Sequence, residues 1–170
     1  MEKEFKKIYA FSYYTLSKSE RKFPLFNLGK TFPFQYDRKH SLKIGFLWKA
    51  TKKMDIGATW TYSSGSPRIY TDVFQLFDDI NIEDVYPKGA FNSKRNPPYH
   101  RLDIKFNFTF EKKHGTHQLG LSVYNAYYRK NVSFYEYFQY DNNGNPIIDS
   151  EGSPISIAPI LPSLNYSFKF

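Results

Sequence analysis

His114 and His117 stand three residues apart in the stretch HGTH, a spacing at which two imidazoles could begin a metal centre. A tight turn rarely brings such a pair together, and no third ligand stands beside them, so the stretch reads as a turn. The acidic run DDINIED (78–84) carries carboxylates of the kind that hold calcium, although a solvated loop accounts for it more simply. DNNGN (141–145) lacks the glycine that a calcium loop needs at its sixth position and reads as a turn. NFT, NYS and NVS match glycosylation acceptors, the first two inside expected strands. In YHRLDIKF, the residues Tyr99, Arg101 and Asp103 share one side of a strand, and the Arg–Asp pair reads as structural. There is no nucleophile elbow, no phosphate-cradling glycine loop and no zinc-binding helix motif. Accordingly no catalytic residue, metal ligand or cofactor is assigned, and the chain is not expected to be an enzyme.

The elements that would position these residues are written in the alternation of side chains. Leu42, Ile44, Phe46 and Trp48 alternate with Lys43, Gly45, Leu47 and Lys49. Met54, Ile56, Ala58, Trp60 and Tyr62 alternate with Asp55, Gly57, Thr59, Thr61 and Ser63. Leu102, Ile104, Phe106, Phe108 and Phe110 alternate with Arg101, Asp103, Lys105, Asn107 and Thr109. Tyr9, Phe11 and Tyr13 form the corresponding set near the start, and Leu121 and Val123 form another. Successive strand side chains point to opposite faces, so each segment predicts a two-faced strand. Six are expected, over 6–17, 38–51, 54–64, 99–111, 116–131 and 157–170. The links ATKK (50–53) and EKKHG (111–115) are short, whereas 18–37, 65–98 and 132–156 are long and hold most of the Pro and Gly.

The 170 residues suffice for one domain, and with no cysteine the chain has neither disulfides nor thiolate metal sites. Aromatic residues make up 20% of the chain and the formal charge is +8. The longest apolar patch, IGFLW (44–48), ends at Lys49, far short of the roughly 20 residues of a membrane helix. MEKEFKKIYAF has charges but no apolar core, so no signal peptide is expected there. The basic excess fits a solvated surface, a nucleic-acid partner or an anionic lipid surface, and charge alone does not choose.

Long links alternating with short ones, and one aromatic face opposed to one polar face, fit an outer-membrane barrel with short periplasmic turns and long extracellular loops. Six strands cannot close such a barrel, so a segment of a larger one is expected. The stretches YYTLSKSERKF (13–23), FPFQYDRKHSLKIG (32–45), ATWTYSSGSP (58–67), RNPPYHRLDIKFNF (95–108), SVYNAYYRKN (122–131) and LPSLNYSFKF (161–170) together resemble the C-terminal barrel strands of a TonB-dependent outer-membrane receptor of the Bacteroidetes type.

The resemblance implies an all-β antiparallel transmembrane segment over 1–170, part of a barrel of about 22 strands, with plug domain, TonB-box and signal peptide absent. It implies a place in the cell outer membrane and a share in energised uptake of a scarce nutrient, such as an iron chelate, vitamin, glycan or peptide. The implied partners are outer-membrane lipid and lipopolysaccharide, the barrel-assembly machinery, and TonB through the missing N-terminal part, with no nucleic acid. Leu164, Tyr166, Phe168 and Phe170 resemble the terminal signal that the assembly machinery reads. Arg101, Asp103 and Lys105 would face the lumen, Trp48 and Phe110 would be interface aromatics, and Lys18, Arg21, Lys22 and Lys30 could meet lipopolysaccharide phosphates. The alternatives are a segment of another outer-membrane barrel, a porin or fatty-acid channel, and a soluble β-rich module that binds a polyanion.

Overall fold

The computed structural model describes residues 1–68, 91–140, 142–144, 146–157 and 159–170. Seven strands form one antiparallel sheet: β1 (Glu2–Phe5), β2 (Ile8–Leu16), β5 (His40–Lys49), β6 (Met54–Ser63), β7 (Tyr99–Lys112), β8 (Gly115–Tyr124) and β11 (Leu161–Lys169), in that spatial order. Two small ladders accompany it, β3 (Glu20–Arg21) with β4 (Phe32–Pro33), and β9 (Phe134–Tyr140) with β10 (Pro146–Ile155). The main sheet contains one strand more than expected. Lys6 and Lys7 close a hairpin that starts at Glu2, in a stretch whose charged text gave no alternation to read.

Cross-strand pairs carry the two faces from strand to strand. On the apolar face Ile44 lies opposite Trp60 and Trp60 opposite Leu102, while Ile56 meets Phe106, Phe106 meets Leu121 and Leu121 meets Leu164. On the polar face Lys43 is opposite Thr61 and Thr61 opposite Arg101, with Thr59 opposite Asp103 and Lys105 opposite Ser122. β-Branched and aromatic side chains on one parity, with hydroxyl and charged groups on the other, suit a pleated sheet of this kind.

β2 departs from the expected facing. Tyr9, Phe11 and Tyr13 lie opposite Leu47, Gly45 and Lys43, on the polar face. β2 has large side chains on both parities, Tyr13 next to Tyr14, so its alternation does not select a face. Gly45 does select one: a Cβ there would come within 2.5 Å of the Phe11 ring, which occupies the space a side chain would take.

The sheet is open. Its order runs from β1 to β11, and these two edge strands do not pair with each other. The expected segment of a closed transmembrane barrel is corrected accordingly. An open sheet in hydrocarbon would leave the N–H and C=O groups of both edges unpaired, at a cost of several kcal/mol for each group. The alternation of short and long links is real, with turns at 6–7, 50–53 and 113–114 at one end of the sheet and the longer connections leaving from the other. An open meander decorated at one end produces that alternation as well as a barrel does.

The tightest packing lies at the loop end. Among the described residues the buried hydrophobic side chain is Phe32, at 6% exposure, set edge-on against Phe26 and Phe91 with ring centroids 5.4 and 5.1 Å away. On the sheet Ile44, Phe46, Trp48 and Leu121 stay more than a third exposed. β8 ends earlier than its alternation predicts, because Asn125 takes a left-handed conformation (φ 54°) and is almost wholly buried. Its amide group bonds the N–H and C=O of Arg129, and its own N–H donates to Asp103. Asn tolerates that backbone better than most residues.

Candidate functional site

The three short turns of the sheet carry the same dipeptide. Lys6–Lys7 joins β1 to β2, Lys52–Lys53 lies between β5 and β6, and Lys112–Lys113 ends β7 and begins the turn to β8. All six side chains are exposed, and no acidic residue stands within the turns. Backbone bonds lock the turns to their neighbours: Lys49 N–H donates to Lys7 C=O at 2.8 Å, and Thr109 N–H to Lys53 C=O at 2.8 Å. Within the middle turn Lys53 N–H donates to the Thr51 hydroxyl at 3.1 Å. Strands lie about 4.8 Å apart, so consecutive hairpin turns follow one another at roughly 10 Å. The result is a rim of three lysine pairs about 20 Å long. Among the described residues none of the six makes an ion pair. Acidic groups stand one row back: Asp55 faces Lys49 across the β5–β6 ladder, and Glu111 faces Thr116.

A separate groove of about 650 Å³ lies on the polar face, lined by Lys43, Thr59, Arg101, Asp103, Lys105 and Tyr124 among others. Arg101 is committed within it. Its Nε donates to Asp103 at 2.9 Å, its Nη1 donates to the Tyr99 hydroxyl at 2.9 Å, and its guanidinium lies 4.1 Å from the Tyr124 ring centre. Burial opposes the charge on Arg101, but Asp103 and Tyr99 outweigh it and raise the pKa above its ordinary value. Asp103 in turn accepts the Asn125 N–H at 3.1 Å, so the pair anchors the turn after β8. Lys43 and Lys105 remain as cationic groups of the groove with no ion pair among the described residues.

The remaining sequence-predicted residues are scattered. Arg101, Asp103 and Lys105 do share a face, but that face borders no lumen, since the sheet does not close. Trp48 and Phe110 lie on the apolar face next to the lysine turns, 42% and 41% exposed. Leu164, Tyr166 and Phe168 sit on edge strand β11, and Phe170 follows it, 98% exposed. His117 bonds the Tyr166 hydroxyl at 2.6 Å and packs against Phe168, whereas His114 is exposed in the turn. Lys18 pairs with Glu20 at 2.8 Å, and Arg21 lies over the Phe34 ring at 4.3 Å. The run 78–84 lies outside the described residues, as do Asp141 and Asn145 of DNNGN. Two of the lysine turns fall at links that the alternation predicts, whereas the first lies in a stretch without alternation. The recurring KK at each hairpin is the signal that links them.

At the opposite end Asp37, only 2% exposed, forms an ion pair with Arg95 and accepts the Ser19 N–H at 2.7 Å. Burial, the largest influence, pushes the Asp37 pKa up, but Arg95 and Ser19 together hold it below its ordinary value. This cluster welds loops together and exposes little of its chemistry.

No protein family, characterised protein or solved structure matches the chain. The resemblance to a TonB-dependent receptor therefore gains no support from comparison, and the open sheet contradicts the barrel it implied. With it fall the outer-membrane location, the transport function, and lipid, lipopolysaccharide, the assembly machinery and TonB as partners.

Proposed function

We propose that the chain is a β-rich binding module whose lysine rim holds an extended polyanion. The observation that carries this reading is the placement of Lys6–Lys7, Lys52–Lys53 and Lys112–Lys113 on three consecutive turns at one end of one sheet. Short hairpins fix the spacing of the pairs, while flexible lysine stems let the ammonium groups adjust to a polymer with repeated negative charge. The formal charge of +8 favours the same class of partner. Lysine is a point-charge binder, so the rim selects charge and spacing more than the shape of one group.

The test is a titration of the chain with three fluorescent polymers: a sulfated polysaccharide, single-stranded oligothymidine and neutral dextran. The first two should bind with affinity that falls steeply as salt rises, and dextran should not bind. Equal binding of dextran, or affinity indifferent to salt, would refute a polyanion site.

A further inference from the structure

The two edges of the sheet differ in a way that bears on assembly. β1 is four residues long and reads EKEF, so three of its four side chains are charged. Short, charged edge strands resist pairing with another chain. β11 is nine residues long, fully exposed, and uncharged from Leu161 to Phe168. Ala126 N–H donates to Leu102 C=O, which sets the even-numbered backbone groups of β7 toward β8. Following the ladder registers across β8 then turns the odd-numbered groups of β11 inward. The N–H and C=O groups of Leu164, Tyr166 and Phe168 therefore point outward, away from β8, and among the described residues no strand receives them.

We infer that β11 pairs antiparallel with β11 of a second copy of this chain, about a twofold axis at Asn165. The strand is self-complementary in that register. Leu164 meets the second copy's Tyr166, Ser163 meets Ser167, Pro162 meets Phe168, and Leu161 meets Lys169. Apolar residues fall opposite apolar ones on one face, hydroxyls fall opposite hydroxyls on the other, and the lysines at the two ends never face each other. Pro162 lacks an N–H but still offers its C=O to the Phe168 N–H. A twofold axis perpendicular to the sheet keeps both apolar faces on the same side. The charged β1 edges then stop growth at two copies, where a second open edge would propagate a filament.

Asn165 would face its own copy in a non-hydrogen-bonded pair, with Cα atoms about 4.5 Å apart, within the range a disulfide spans. The chain has no cysteine, so a single introduced thiol reports on one position. Sedimentation should give twice the 20.1 kDa chain mass for the unmodified protein. Under mild oxidation Asn165→Cys should cross-link with itself in high yield. Ser163→Cys should do so poorly alone but well when mixed with Ser167→Cys. Asn165→Lys should sediment as a monomer, as should Asn165→Asp, and mixing the two should restore the doubled mass, which excludes simple misfolding. A monomeric unmodified chain, or cross-linking at Asn165 no greater than at a Thr51→Cys control in the turn, would overturn the inference. So would a dimer that survives Asn165→Lys and is lost with Phe106→Glu, because the apolar face would then be the interface.

Discussion

Asp37 and Arg95, 58 residues apart in the chain, form an ion pair that ties the first long loop to the second. Arg95 also donates to the carbonyls of Asp37 and Gly65, at 3.3 and 3.0 Å. Asp37 is almost inaccessible while Arg95 is 26% exposed on its side chain, so removing the arginine strands a buried carboxylate. Arg95→Ala should destabilise the fold by about 3–5 kcal/mol, measured by denaturant unfolding. A loss under about 1 kcal/mol would mean the pair is solvated like a surface pair.

Phe11 over Gly45 makes a second prediction. Gly45→Ala would drive a methyl group to 2.5 Å from the Phe11 ring and 2.9 Å from the Ala58 carbonyl. The expected cost is about 1–3 kcal/mol, and the Phe11 ring resonances should shift in the NMR spectrum. Unchanged stability would place the Phe11 side chain elsewhere.

These contacts mark how far the sequence could be read. The facing of β5, β6 and β7 is legible from strict alternation, as with Ile44, Phe46 and Trp48 against Lys43 and Lys49. In β2 the adjacent Tyr13 and Tyr14 cancel that signal, and only the partner strand's Gly45 decides the face. Whether a sheet closes depends on what its edge strands meet, which no alternation within a strand records. Asp37 with Arg95 is equally silent, because each alone looks like a solvated loop charge. Of the lysine rim, the middle and last turns were readable as turns. Their alignment with Lys6–Lys7 became visible only through the sheet order.

His100 predicts a pH dependence. Its Nδ1 lies 2.7 Å from the Tyr127 hydroxyl, which also accepts the Trp60 indole N–H at 3.1 Å. Burial first, and then the Arg129 charge, lower its pKa below the ordinary 6.5. The unfolded chain therefore takes up this proton before the folded one does. The stabilising contribution is complete above about pH 6.5 and is lost as pH falls through the lowered value. Melting temperatures of His100→Asn should decline less than those of the unmodified protein between pH 7 and 5. Parallel declines would assign the dependence to other groups.

Lys6 takes a left-handed backbone, φ 47°, at a hairpin position that Asn or Gly fills more easily. A non-glycine residue there carries a conformational cost of about 1–2 kcal/mol, which Asn bears better. Lys6→Asn should slow amide exchange in the β1–β2 hairpin while weakening polyanion binding. Faster exchange would show that this lysine stabilises the turn it occupies.

The most direct measurement compares two variants that lose the same charge at opposite ends of the sheet. One replaces Lys52, Lys53, Lys112 and Lys113 with Gln, and the other replaces Lys22, Lys30, Lys39 and Lys130, all exposed, with Gln. Affinity for single-stranded oligothymidine is followed across a salt series. The rim variant should bind more weakly, with a slope of log affinity against log salt shallower by about 3. The loop-end variant should stay near the unmodified protein in both respects. Equal losses in the two variants, or no loss at the rim, would contradict a polyanion site built on the three lysine turns.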